Sequence, residues 1–169
     1  MSVESQAKQL AAKLTELNLR VVFAESCTAG LVAASLARVP GVSEHHCGSA
    51  VTYREKTKQV WLGVSADDLE KYTAVSEPVA EQMAVGVLKK TPEAHWSASV
   101  TGHLGPNAPP EQDGLIYVGL ARRVKRKVKS VEVLRVELQQ QTRLKRQREA
   151  AETVLRILNQ QLDAASVLD

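Results

Sequence analysis

The chain has 169 residues, 44% of them hydrophobic and 24% charged, the ordinary balance of a soluble globular protein and a length that suits one domain spanning 1–169. Its formal charge of +3 is too small to imply a nucleic-acid partner by itself. No apolar run is long enough to span a bilayer, and Met1 to Gln6 lack the basic and apolar regions of a secretory signal, so the expected location is the cytoplasm, away from membranes.

Val3, Ala7, Leu10, Ala11, Leu14 and Leu17 recur at helical spacing, with Asn18 as the stop. Residues 20–24 read as a first strand, and a helix is expected near 28–38, ended by Pro40 and Gly41. A second short strand at 48–53 leads into the polar helical stretch 55–61, and 67–72 forms another short helix. Ser76 caps a longer helix whose first turn tolerates Pro78 and whose apolar face is Val79, Met83, Ala84, Val87 and Leu88. The third strand, 96–101, runs into a loop at 102–110 whose Gly and Pro residues fix an irregular path. Segments 114–121 and 128–138 are β-rich and pair as a hairpin across 122–127, before a final amphipathic helix at 142–162. Helices alternate with strands early and a hairpin comes late. That order predicts an α/β protein, a mixed sheet in a three-layer α/β/α sandwich.

The chemistry-bearing residues cluster at the first strand–helix junction. An apolar run stops at Glu25, Ser26, Cys27 and Thr28, and small helix-compatible residues follow to Ala37. Such a junction sets backbone N–H groups and the positive end of a helix dipole beside three hydroxyl or thiol groups. Those are ingredients of an anion site or an activated nucleophile. Ser and Thr are equally ordinary helix caps, and the junction alone leaves both readings open. Cys27 and Cys47 form no metal-ligand spacing and are too few for a disulfide framework, so both are expected to be reduced, mostly buried thiols. The adjacent His45 and His46 diverge in extended structure and make no convincing metal pair.

Six cations stand among residues 122–129, and Arg143, Lys145, Arg146 and Arg148 form a second cluster. Together they suggest a phosphate-tracking stripe. Aromatic residues are only 4% of the chain, which leaves no stacking platform, and a lysine-studded hairpin is also a normal guard against edge pairing. The solvated hairpin is the expected role.

Three segments carry a family resemblance: 24–30 (Ala-Glu-Ser-Cys-Thr-Ala-Gly), 51–58 (Val-Thr-Tyr-Arg-Glu-Lys-Thr-Lys) and 74–84 (Ala-Val-Ser-Glu-Pro-Val-Ala-Glu-Gln-Met-Ala). Together they resemble the C-terminal domain of CinA and its PncC-type relatives, the nicotinamide mononucleotide deamidases, over about residues 10–158. The resemblance implies a Ser/Lys amidohydrolase that converts nicotinamide mononucleotide to nicotinic acid mononucleotide and ammonia. It assigns the nucleophile to Ser26, the base to Lys58, and a relaying or orienting hydroxyl to Tyr53. A lysine acts as a base only when neutral, so burial or neighbouring cations such as Arg54 and Lys56 must lower its pKa. Backbone N–H groups of Cys27, Thr28 or Gly30 are the expected oxyanion donors. Cys27 is a rival nucleophile by position, but the resemblance makes it a packed neighbour.

The match continues through Thr101, Gly102, Gly105 and Pro106, where relatives bring backbone close to substrate, but His103, Leu104 and the Ala108-Pro109-Pro110 tail depart from it. Aligned through Ala150 and Ala151, the arginine of a family Gly-Asp-Arg motif falls on Arg143, a candidate phosphate clamp, although Gln141 and Thr142 replace Gly-Asp. The chemistry needs no metal or other cofactor. Two alternatives stand beside it: an amidase acting on a different amide, suggested by the altered loop, and a non-catalytic nucleotide-binding module. The resemblance also implies a homo-oligomer, most simply a dimer.

Overall fold

A computed structural model describes residues 1–166. Its five strands are β1 (Val21–Glu25), β2 (His46–Val51), β3 (Trp96–Gly102), β4 (Leu115–Val124) and β5 (Lys127–Glu137). They form one sheet in the order β2-β1-β3-β4-β5, with β1 parallel to both neighbours and β3, β4 and β5 successively antiparallel. β1 lies inside the parallel part and is buried at every residue, which is why its sequence is apolar without alternation up to its last residue, Glu25.

The six helices are α1 (Val3–Glu16), α2 (Leu31–Ala37), α3 (Glu55–Leu62), α4 (Ala66–Tyr72), α5 (Glu77–Lys90) and α6 (Arg143–Ser166). Val21 and Phe23 join the core under α1, α2 and α6, while Val22 and Ala24 join the core under α3, α4 and α5. The expected α/β/α layering is the one observed. On β3 the same alternation is partly polar. Ser97, Ser99 and Thr101 turn toward α5 and donate to the carbonyls of Ala84, Ala80 and Ala74 at 2.7, 2.6 and 2.7 Å. Each buried hydroxyl is thereby satisfied, and the strand is tied to the segment before and within α5.

Several boundaries differ from the sequence reading. β2 ends at Val51, so Thr52 and Tyr53 leave the sheet and lead into α3. Helix α2 starts at Leu31 rather than near 28, because Ala29 and Gly30 take left-handed φ values of 51° and 98°. Ser76 does not cap α5 through its side chain; its hydroxyl donates to Thr73 O at 2.9 Å. The hairpin turn is only Lys125 and Arg126, both left-handed at φ 47° and 69°, so most of the basic run lies in the strands. Arg123 is not solvated either. Its guanidinium donates to Leu88, Thr91 and Ala94 carbonyls, satisfying the C-terminal end of α5. Among the described residues, no helix is long and apolar enough to cross a membrane.

Candidate active site

β1 and the two strands beside it deliver the site to one end of the sheet. Immediately after β1, Ser26 donates its backbone N–H to Val100 O on β3, which fixes where the chain turns. Thr52 N–H donates to Glu25 O, so the exit of β2 is tied to the same point. From that exit, α3 carries Lys58 back toward Ser26. Lys58 Nζ lies 2.9 Å from Ser26 Oγ, 2.6 Å from Thr52 O and 3.4 Å from Tyr53 O.

Lys58 is 1% exposed. Burial pushes its pKa down from 10.5 to about 8, and the smaller influences of Cys27 and Glu55 act the other way. Of the two causes considered from sequence, desolvation therefore operates and neighbouring cations do not. The three partners suit both charge states. An ammonium has three N–H bonds for three oxygens; a neutral amine donates to the two carbonyls and keeps its lone pair for the Ser26 hydroxyl proton.

Cys27 is buried in the apolar core, and burial pushes its thiol up to about 12. It is a packed neighbour with no activated thiolate. The Thr28 side chain and the Gly30 amide are engaged by Glu25, and neither residue lines the cleft around Ser26 and Lys58. The Thr28 hydroxyl and the Gly30 N–H both donate to Glu25 Oε2, at 2.7 and 3.0 Å. Glu25 also accepts from Val32 N, Ala33 N and the Ser49 hydroxyl, each at 3.0 Å. The amides of Ala29, Leu31 and Ala34 are committed to Ser26, Thr28 and Gly30 carbonyls. From Ser26 to Ala34, the amides of Cys27 and Thr28 alone have no acceptor among the described residues. Those two amides remain unbonded next to Ser26, whereas the Gly30 amide is engaged by Glu25.

Ser26, Cys27, Tyr53, Lys58, Thr101, Gly102, Gly105 and Arg143 line one cleft of about 240 Å³, together with the departing residue His103 and with Asn107. The Tyr53 hydroxyl makes no hydrogen bond to Ser26 or Lys58. That hydroxyl accepts from Arg143 Nη2 at 2.7 Å, while Arg143 Nη1 donates to Gly105 O at 2.7 Å. Arg143 thus bridges the two walls of the cleft. The Thr101 hydroxyl is spent on Ala74 O, so Thr101 lines the cleft without a free proton. Gly102 is required by space, since a Cβ there would lie 2.4 Å from Ile116 Cγ2 and 2.7 Å from Leu115 O. His45 is occupied by Leu19 O through Nδ1, and no cluster of metal-ligating residues exists among the described residues.

Asp113 escaped the sequence reading, and Arg146, read there as one cation of a surface cluster, is buried. The buried Arg146 fork binds Asp113 Oδ1 and Oδ2 at 2.7 and 2.9 Å, and also reaches Gln140 O and Leu104 O. Hydrogen bonding from Arg146 holds the Asp113 carboxyl below its usual range. The pair anchors the 104–113 loop that forms one wall of the cleft. Replacing Asp113 by Ala leaves that fork without its carboxylate, and limited proteolysis is expected to cut the 104–113 loop faster than in the parent protein. Equal cutting would show that the proline-rich path holds itself.

The family model of the CinA C-terminal domain matches residues 3–162. A CinA-like protein of Prochlorococcus marinus (strain MIT 9301) is 42% identical over 111 residues, 64% of this chain and 26% of that protein. A CinA-like protein of Myxococcus xanthus (strain DK1622) is 41% identical over 120 residues, 70% of this chain and 28% of that protein. The chain thus spans about a quarter of the length of these curated relatives. Among solved structures, the competence/damage inducible protein CihA from Agrobacterium tumefaciens superposes with a TM-score of 0.83 at 31% identity, covering 95% of each chain. A competence or damage-inducible protein from Enterobacter asburiae gives 0.85 at 26% identity, covering 96% of this chain and 99% of that one. A family model that covers all six helices' starts and all five strands, and a solved relative matched nearly end to end, place the chain in one group: it belongs to the CinA C-terminal domain family.

Proposed function

We propose that the chain is an amidohydrolase that uses Ser26 as nucleophile and Lys58 as general base, with nicotinamide mononucleotide as its substrate. The observation that carries this reading is a buried lysine, with its pKa lowered to about 8, in direct hydrogen-bond contact with a serine hydroxyl at the floor of a cleft. Neutral Lys58 takes the Ser26 hydroxyl proton as Oγ attacks the carboxamide carbon. The Cys27 and Thr28 amides receive the developing oxyanion, a contribution of about 3 kcal/mol per well-placed donor. Collapse breaks the C–N bond, and the Lys58 ammonium returns its proton to the leaving nitrogen, releasing ammonia. Lys58 then deprotonates a water that attacks the Ser26 ester, which frees the carboxylic acid and restores the hydroxyl.

The lining supports an anionic substrate. Lys58, His103 and Arg143 face the cleft, and no carboxylate lines it among the described residues. With Arg143 as a permanent cation and no opposing carboxylate, the cleft favours an amide that carries an anionic group, and its volume suits a mononucleotide better than a dinucleotide. His103, which departs from the family pattern, supports a second reading in which the same mechanism serves a different anionic amide. Self-association into a dimer belongs to the same proposal; β5 is an edge of the sheet and leaves Val131 exposed.

Ammonia release measured over nicotinamide mononucleotide and a small panel of amides tests the reading and separates its two substrates. The rate should survive a metal chelator. Because the Lys58 pKa is depressed, the active neutral form dominates above about 8. Activity limited by chemistry should rise about tenfold per pH unit below that value and level off above it. A profile flat from pH 6 to 9 would exclude Lys58 as the base.

A further inference from the structure

We infer that Glu25 is a positioning residue for the nucleophile, acting through the turn that carries Ser26 and not through substrate. This rests on the amidohydrolase reading above. The residue itself stands next to Ser26 and is fully buried, an unusual place for a carboxylate unless every oxygen is satisfied. Oε2 accepts from the Thr28 hydroxyl and from the N–H groups of Gly30 and Val32; Oε1 accepts from Ala33 N–H and the Ser49 hydroxyl. Five donors on one side chain lock together the turn after Ser26, the start of α2 and the neighbouring strand β2.

Two consequences bear on chemistry. First, the turn is held with Ala29 and Gly30 in left-handed conformations, the shape that leaves Ser26 facing Lys58 at 2.9 Å. Second, the carboxylate consumes the Gly30, Val32 and Ala33 amides, so the oxyanion donors are limited to those of Cys27 and Thr28, beside the nucleophile. Glu25 also receives Thr52 N–H on its own carbonyl, and Thr52 O is the shortest contact of Lys58 Nζ. Nucleophile and base are therefore referenced to one residue.

The test uses the conservative variant Glu25→Gln, because Glu25→Ala leaves five donors without their acceptor at once and is expected to unfold. A glutamine carbonyl in the place of Oε2 keeps three of the five contacts, and Ser49 can turn its hydroxyl to accept from the new amide. Ala33 N–H then faces a donor, and the turn loosens without losing its fold. Relative to the parent, E25Q is expected to lower kcat by about 10- to 100-fold while KM changes less than about twofold, with the pH midpoint still near 8 because Lys58 stays buried. A folded E25Q with a reduced melting temperature and full kcat would make Glu25 merely structural and overturn the inference.

A second readout does not depend on the substrate. Labelling of Ser26 by a fluorophosphonate, followed by peptide mass spectrometry, reports the nucleophile alone. If no amide in the panel is hydrolysed, slower labelling in E25Q than in the parent sustains the positioning role while the amidase reading falls. Equal labelling rates overturn the positioning role even where turnover is found, and a parent protein that neither labels nor turns over removes both.

Discussion

Replacing Ser26 by alanine, or Lys58 by alanine, is expected to lower kcat for amide hydrolysis by about a thousandfold or more, with little change in KM. Neither side chain has a substitute in the cleft. Cys27 is the adjacent residue, but its thiol is pushed up to about 12 and stays protonated at working pH. The Tyr53 hydroxyl accepts from Arg143 and makes no hydrogen bond to Ser26. The double variant should be no worse than the poorer single one, because a base without a nucleophile and a nucleophile without a base both leave only the oxyanion donors and substrate binding. Additive losses in the double variant would mean that the two residues act in separate steps.

Gly86→Ala should cost about 2–3 kcal/mol of stability and should also reduce activity. Gly86 lies inside α5, where alanine would ordinarily gain about 1 kcal/mol in helix propensity. Here a Cβ would stand 2.0 Å from Leu62 O and 2.9 Å from Leu62 C, both backbone atoms that cannot swing aside. The clash wins, and α3 must move away from α5. Lys58 lies one turn before Leu62 on the buried face of α3, so the displacement reaches Ser26 through the 2.9 Å contact. A fall in melting temperature of roughly 5–10 °C together with a lower kcat is expected. An unchanged melting temperature would show that α3 gives way without resistance.

The layering was legible because burial writes itself into composition. The β1 run has no polar residue before Glu25, and the apolar face of α5 repeats at helical spacing. The hairpin boundaries were less legible. Residues 122–127 read as the hairpin connection because cations dominate them, yet 122–124 continue β4 and Lys127 opens β5, where side chains at strand ends can face water. Its turn uses Lys125 and Arg126 in left-handed conformations, without the Asn or Gly that would have announced it. At the site, Ser26 and Lys58 were reached through a family motif and not through pattern, since α3 looks polar and its lysine looks like surface. Only the fold shows it 1% exposed. Glu25 was invisible for a different reason. Three of its five partners are backbone amides, which every residue but proline possesses and no sequence distinguishes. Arg143 and Tyr53 are 90 positions apart, and Arg146 and Asp113 33 apart, so neither contact has a local signature.

The covalent intermediate is the most direct test of a Ser26 nucleophile. Turnover of nicotinamide mononucleotide quenched in acid within the first catalytic cycle, then read by peptide mass spectrometry, should show the substrate's acyl group as an ester on Ser26, and no such adduct in Ser26→Ala. An adduct on Cys27, or hydrolysis that continues undiminished in Ser26→Ala, would contradict the account.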